Sequence, residues 1–201
     1  PFLERLIQHL RRAQLELLAE FCVKFDAIAI CDEVWGHLIF DGQKHISLMS
    51  LPGMRERTIK ISSAGKIFSL TGWKIGLVMA APEIMRIVAK AHQFTTFTTA
   101  PSLQSAVALG LGKDDAYFET MRSDFQRSRD RFCAHMTDLG FSVMPSQGTY
   151  FVTVDIAPLG ETDDAAFCQR LVREHGVAAI PVSAFYAQNA VKTVVRFCFA
   201  K

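Results

Sequence analysis

The sequence predicts an α/β protein, on three observations. Short apolar runs alternate with segments of amphipathic helical period in the first half of the chain. Those runs are nearly continuous, the pattern of strands in a mostly parallel sheet covered by helices on both faces. Past about residue 113 the pattern changes to a smaller α+β set, so residues 1–113 and 114–201 are expected to be two domains. With 201 residues, half of them apolar, the chain can bury a sizeable core.

Leu15, Leu18, Ala19 and Cys22 fall at i, i+3, i+4 and i+7, one face of a helix, and the β-rich run from Ala27 to Val34 follows at once. Further strands are expected at Thr58 to Ser62 and Ile75 to Ala80. Pro82 suits a first helical turn, after which Ile84, Ile87, Val88 and Ala91 form an apolar stripe. From about Asp114, the residues Phe118, Met121, Phe125, Phe132, Met136 and Leu139 keep helical spacing over about seven turns, up to Gly140. Strands at Phe141 to Met144 and Thr149 to Ile156 come next, then a helix between the caps Asp163 and Gly176. Strands at Val177 to Pro181 and Thr193 to Phe199 complete the set. Gln43 to Arg57, Pro158 to Thr162 and Ser183 to Val191 read as loops.

Composition narrows the partners. The net charge is +2, with both signs interspersed and no basic stripe, so nucleic acid is not an expected partner. The longest apolar runs, such as Ile75 to Ala81, fall far short of the roughly 20 residues of a spanning helix, and the start of the chain has no signal pattern. A cytoplasmic protein without a membrane partner is the expectation. Cys22, Cys31, Cys133, Cys168 and Cys198 are odd in number and lack CxxC spacing, so they read as reduced, buried thiols and not as a metal site. A nucleophilic cysteine would need a positive neighbour to lower its pKa, and none stands beside any of them in sequence.

Two stretches carry chemistry. In Ala27-Ile-Ala-Ile-Cys-Asp-Glu-Val-Trp35 two carboxylates appear where an apolar strand ends, and strand ends are where α/β sheets place ligands. Asp32 and Glu33 serve equally well as turn caps on this evidence. In Thr58-Ile-Lys-Ile-Ser-Ser-Ala-Gly-Lys66 a strand runs through small residues into a lysine in an apolar setting. Desolvation favours the neutral amine that condenses with an aldehyde, and Ser63, Ala64 and Gly65 would let a flat ring and its phosphate approach the backbone. A solvated surface lysine is the plainer alternative. His37, His45, His92 and His175 have no acid or nucleophile at a telling spacing and read as structural or exposed.

Taken in order, Cys31-Asp-Glu-Val-Trp35, Ser63-Ala-Gly-Lys66 with Phe68-Ser-Leu-Thr-Gly-Trp-Lys-Ile-Gly76, His92-Gln93 with Phe97, Ser146-Gln-Gly-Thr-Tyr-Phe151 and Val195-Arg-Phe-Cys-Phe-Ala-Lys201 resemble the class I/II, fold type I aminotransferases that depend on pyridoxal 5'-phosphate. The resemblance is to the branch of kynurenine, glutamine and methionine aminotransferases and cysteine-conjugate lyases. It implies the later part of the large cofactor-binding domain followed by a small α+β domain, working as a homodimer on amino acids and 2-oxo acids.

The resemblance also implies roles. Lys66 matches the lysine that carries the cofactor as a Schiff base and later moves a proton between the substrate Cα and the cofactor. Asp32 matches the carboxylate that keeps the pyridine nitrogen protonated, and Ser63 and Lys74 match the phosphate-binding pair. Arg196 matches the arginine whose planar fork holds the substrate carboxylate by two hydrogen bonds. Phe97 resembles a side-chain-pocket aromatic contributed to a neighbouring subunit, an ordinary core phenylalanine being the alternative. Trp35 stands where many relatives have a cofactor-binding tyrosine, and its indole donates a hydrogen bond but has no acidic hydroxyl.

Family members are longer, with a Gly-rich phosphate turn, a ring-stacking aromatic and an Asn-Pro loop that do not precede Ala13 here, and Pro1 to Leu10 show no clear resemblance. A partial chain, inactive by itself, is therefore expected. Transamination is the leading activity. β-Elimination from a cysteine conjugate uses the same residues, and an effector-binding domain of a transcription regulator shares the fold.

Overall fold

A computed structural model of the chain describes residues 10–200, which divide into two compact units, Leu10–Glu119 and residues 120–200. The class is the expected α/β.

In the first unit, α1 (Arg12–Lys24) buries Leu15, Ala19 and Cys22 against Leu48, Leu51 and Met54, with Ala29, Cys31 and Ile46 packed at the margin. The segment expected to be a loop between Gln43 and Arg57 thus carries a 3-10 turn at Leu48–Ser50 and half of a core cluster. Its apolar residues recur every third position, a helical signal that the Pro52-Gly53 pair obscures.

The sheet of this unit has the order β1–β2–β3. β1 (Ala29–Asp32) runs parallel to β2 (Thr58–Ser63), with Ala29 opposite Thr58 and Asp32 opposite Ile61. β3 (Gly76–Met79) runs antiparallel to β2, with Ser63 opposite Gly76. Parallel pairing is therefore confined to β1 and β2. β3 reverses because the chain after β2 folds back on itself: α2 (Ala64–Ile67) and a 3-10 turn at Thr71–Trp73 are tied together where Leu70 N and Thr71 Oγ1 donate to the Gly65 carbonyl at 3.1 and 3.2 Å. The expected coverage of both faces is not met among the described residues. Strand alternation puts Ile30, Ile61 and Val78 on one face, where Ile30 is 70% exposed, while Cys31 faces the α1 cluster.

α3 (Pro82–Thr95) opens with proline at its first position, as expected, but has no buried residue. α4 (Pro101–Leu111) is an addition to the expected elements. Its signals are Pro101 at the first turn and Leu103, Val107 and Leu111 at four-residue steps, and its Val107 joins Ala64 and Ile75 in a second cluster with Phe68 and Leu77 at the margin. A side chain at Gly110 would stand 2.9 Å from Phe68 Cζ, so glycine there lets α4 close on the ring.

α5 (Asp115–Asp138) runs across the division between the units. The second unit holds an antiparallel sheet of order β4–β5–β7–β6, built from β4 (Ser142–Val143), β5 (Phe151–Asp155), β6 (Ile180–Pro181) and β7 (Val194–Cys198). Val152, Val154, Ile156, Val194 and Val195 are at most 1% exposed, and Phe197 meets Phe132 and Phe141 at centroid distances of 6.0 and 6.3 Å. α6 (Asp164–His175) has the expected caps: Asp163 accepts from Ala166 N at 3.0 Å, and Gly176 is left-handed at φ +67°.

Candidate active site

The sheet of the first unit gathers four of the expected residues along one edge. Because β1 and β2 are parallel, their carboxyl ends lie together, which puts Asp32 beside the segment leading to Ser63. Because β3 is antiparallel to β2, its amino end joins them, with Gly76 opposite Ser63 and Lys74 two residues earlier. Lys66 follows Ser63 within α2.

Among the described residues, Asp32, Ser63 and Lys74 have few partners for their polar atoms. The exposed Asp32 carboxylate accepts only a 3.3 Å bond from Val34 N, Ser63 makes no cap bond to α2, and the exposed Lys74 has no acidic partner among the described residues. A carboxylate, a hydroxyl and a cation left open along one strand edge suit a group with a basic ring nitrogen and a phosphate.

Lys66 is held more tightly. Ala64, Gly65 and Ile67 around it are buried, and its Nζ lies 5.1 Å from the centroid of the Trp35 ring, within range of a cation–π contact. Gly65 has a different reason to be glycine from the expected one. A Cβ there would meet Thr71 Cα at 2.9 Å, so the space is filled by the protein's own backbone and is not open to a ligand.

Glu33 separates from its neighbour Asp32 because successive strand residues face opposite ways. Its side chain is 8% exposed and is approached by four donors: His45 Nε2 at 2.7 Å, Ser47 Oγ at 2.9 Å, Leu48 N at 3.3 Å and Lys60 Nζ at 3.2 Å. Burial alone would raise its pKa, but the hydrogen bonds of His45, Ser47 and Lys60, with the charge of Lys60, outweigh it and hold the carboxyl at about 2. A folded-state pKa below the unfolded value gives stability that is full above about pH 4.5 and is lost as pH falls toward 2. With allowance for screening, Glu33 is expected to contribute on the order of 2 kcal/mol at neutral pH. Urea unfolding at pH 7, 4 and 3 should show a steeper acid loss for the native protein than for Glu33→Gln, and parallel losses would contradict the assignment.

Arg196 lies on β7 in the second unit, opposite Thr153 and Ile180. Its guanidinium carbon is 4.3 Å from the Phe151 ring centroid and 5.0 Å from that of Phe185, so two aromatics bracket the plane. Among the described residues, its buried Nε has no hydrogen-bond partner and no ion pair reaches the group. Burial lowers its pKa, against the opposing influence of Cys198 and Tyr150. A desolvated guanidinium with an open edge is suited to a carboxylate.

Phe151 and Phe185 are site candidates that the motifs did not single out for this role. The Ser146–Phe151 stretch sets the first: Ser146 Oγ donates to the Phe151 carbonyl at 2.9 Å, and Arg129 Nη1 donates to the Ser146 carbonyl at 2.5 Å. The second rides on a 3-10 turn, Val182–Phe185, whose Ser183 donates to the buried Asp164 through N at 2.8 Å and Oγ at 2.6 Å.

Phe97 is 74% exposed in a left-handed conformation at φ +67°, its N–H bonded to the His92 carbonyl at 3.0 Å, so it is not a core residue of the described chain. His45 has the structural role given above, and His175 is exposed at the end of α6. All five cysteines are free, and burial raises the pKa of Cys31, Cys133 and Cys168, the last to about 11. Cys198 departs from the expected burial because it faces outward from β7. Among the described residues no group of three or more His, Cys, Asp or Glu could hold a metal ion, and no helix is long and apolar enough to cross a membrane.

The chain belongs to the aminotransferase class I and II family, whose family model matches residues 8–201. The match reaches three residues into the stretch from Pro1 to Leu10 that shows no clear motif, and that stretch lies almost wholly outside the described residues. The chain is 41% identical to the probable N-succinyldiaminopimelate aminotransferase of Mycobacterium tuberculosis, covering 96% of this chain and 51% of that protein. It is 36% identical to the methionine aminotransferase of Escherichia coli, over 91% of this chain and 49% of the relative, and 36% identical to human kynurenine–oxoglutarate transaminase 1, over 94% and 50%. The solved structure of the Mycobacterium tuberculosis N-succinyldiaminopimelate aminotransferase superposes with a TM-score of 0.90 at 42% identity, covering 94% of this chain and 50% of that one. The chain thus spans about half the length of the curated relatives it matches.

Proposed function

We propose that the protein transfers an amino group between an amino acid and a 2-oxo acid with pyridoxal 5'-phosphate as cofactor. In this reading residues 1–113 are the later part of the large cofactor-binding domain and 114–201 the small domain of a cytoplasmic homodimer. The observation that carries it is the collection of Asp32, Ser63, Lys66 and Lys74 at one sheet edge, where, among the described residues, the Asp32 carboxylate accepts only from Val34 N, Ser63 caps no helix and Lys74 has no acidic partner.

Pyridoxal phosphate, when bound, supplies a ring that stabilises negative charge at the substrate Cα. Lys66 Nζ would hold it covalently and, once freed, would be placed to take the proton from the substrate Cα. Asp32 holds a proton on the ring nitrogen, which sustains the ring's electron demand. Ser63 and Lys74 bind the phosphate, and the Trp35 ring limits the positions that the Lys66 ammonium can adopt. Arg196 orients the substrate by its carboxylate. The relatives named above act on different amino acids, and the reading is accordingly for α-amino acids as a class.

The test is 2-oxo-acid-dependent amino transfer by the full-length protein, run beside pyruvate release from a cysteine conjugate. Dominant pyruvate release would replace transamination by β-elimination, and inactivity of the cofactor-loaded protein in both would favour a non-catalytic binding domain.

Arg196→Lys is expected to raise KM for amino acids by about tenfold or more, because lysine keeps the charge but loses the paired hydrogen bonds, each worth on the order of 1.5–3 kcal/mol to a charged group. Cofactor affinity should change far less. Equal effects on amino acids and on amines lacking the carboxylate would remove Arg196 from substrate binding.

A further inference from the structure

We propose that Glu33 is a positioning residue of the cofactor edge, holding the Asp32–Trp35 turn against β2 and so fixing where the Asp32 carboxylate and the Trp35 ring stand relative to Lys66. The inference rests on the reading of Asp32 and Lys66 as cofactor residues, but its geometry belongs to the protein alone.

One carboxylate joins three separate segments. Glu33 follows β1 directly, and its own N–H donates to the Ile61 carbonyl of β2 at 2.8 Å. Its Oε2 receives Lys60 from β2 and His45 from the following connection, while Oε1 receives Ser47 Oγ and Leu48 N. His45 also packs on the turn itself: a Cβ at Gly36 would stand 3.0 Å from the His45 ring, so the ring lies flush against the backbone one residue beyond Trp35. Both sides of the turn are thereby fixed, with Glu33 before Trp35 and Gly36 after it.

Strand alternation makes this useful to the opposite face. Glu33 points to the side of Cys31 and Lys60, and Asp32 to the side of Ile30 and Ile61, so a rigid anchor on one face sets the direction of the exposed carboxylate on the other. Among the described residues, Asp32 has only the 3.3 Å bond from Val34 N to hold it by itself. An exposed side chain with one long hydrogen bond is fixed by its backbone, and here Glu33 fixes the backbone.

The test uses the full-length protein in which every tryptophan other than Trp35, Trp73 among them, is replaced by phenylalanine, so that emission reports on Trp35 alone. Glu33→Gln keeps the shape but replaces an acceptor oxygen by a donor facing Lys60. Ser47→Ala removes a single donor and is the milder variant if Glu33→Gln folds poorly. Val154→Ala, at a fully buried position of β5, serves as a destabilised comparison outside this region.

Without cofactor, acrylamide quenching of Trp35 should rise clearly in Glu33→Gln, rise less in Ser47→Ala, and stay unchanged in Val154→Ala. Pyridoxal phosphate titration should show weakening of about tenfold for Glu33→Gln, the loss expected of one hydrogen bond to a charged group, and little change for Val154→Ala. Unchanged quenching in both Glu33→Gln and Ser47→Ala, or equal quenching in Val154→Ala, would overturn the positioning role. Failure of the unaltered protein to bind pyridoxal phosphate would overturn the cofactor reading instead, and the quenching series would still decide whether Glu33 holds the turn.

Discussion

Replacing Lys66 by alanine is expected to lower turnover of the full-length, cofactor-saturated protein by at least about 10⁴-fold, because in the proposed reaction one side chain both anchors the cofactor and moves the substrate proton. The neighbouring lysines cannot take its place. Lys60 is committed to Glu33 at 3.2 Å, and Lys74 sits in a left-handed turn beyond Gly72 with its side chain in solvent. Lys66 alone stands on the short helix after β2, with buried neighbours and an aromatic ring against its ammonium. Borohydride reduction of the cofactor-loaded protein followed by peptide mapping should accordingly mark Lys66. A label on Lys60 or Lys74, or a turnover loss below tenfold in Lys66→Ala, would refute the assignment.

Asp32→Asn should leave the fold intact and slow proton abstraction by roughly 10²–10⁴-fold, the range of a preorganised charge or a general acid–base group. The change is isosteric at an exposed position whose only described hydrogen bond, from Val34 N, an amide oxygen can still accept. Stability therefore offers no explanation for a large kinetic loss there. Single-turnover proton abstraction, followed with a Cα-deuterated amino acid, is the measurement. A rate within about threefold of the unaltered protein would mean that Asp32 does not hold the ring proton.

Both variants concern residues that their motifs reveal in the sequence, and the reason is physical. Asp32 ends one strand and Lys66 stands just past another, and both strands have unmistakable apolar runs, so strand end and chemical group are read together. The division of labour between Asp32 and Glu33 was not legible. Two adjacent carboxylates look alike until alternation sends one toward Lys60 and His45 and the other to the open face. The aromatic bracket of Arg196 was hidden for another reason. Phe151 and Phe185 are 34 positions apart in the chain and meet one guanidinium only through the β5–β7 pairing and the Asp164–Ser183 contact, both of which are long-range.

The fold itself was legible where local period and burial agree, as in α1, β2, α5 and α6, whose end caps stand at Asp163 and Gly176. It was less so where the turn residues Pro52 and Gly53 interrupt a core segment, and where α4 mixes glycines with its apolar steps. Gly65 is the instructive case. Its smallness does answer a close approach, but by the backbone of Thr71 and not by a bound ring or phosphate.

The left-handed backbone of Lys74, at φ +58°, bears on how its charge is to be measured. An ordinary side chain in that region carries a conformational penalty of about 1 kcal/mol that glycine escapes, and β-branched residues fare worse. A truncation series at this position therefore mixes two quantities: Lys74→Val charges backbone strain to the account of the missing ammonium, whereas Lys74→Gly relaxes the turn while removing it. Glutamine and methionine, unbranched and of similar length, keep the penalty constant. For the proposed phosphate role, the difference between them and lysine in phosphate affinity isolates the ammonium, and its decline with added salt separates Coulomb attraction from hydrogen bonding.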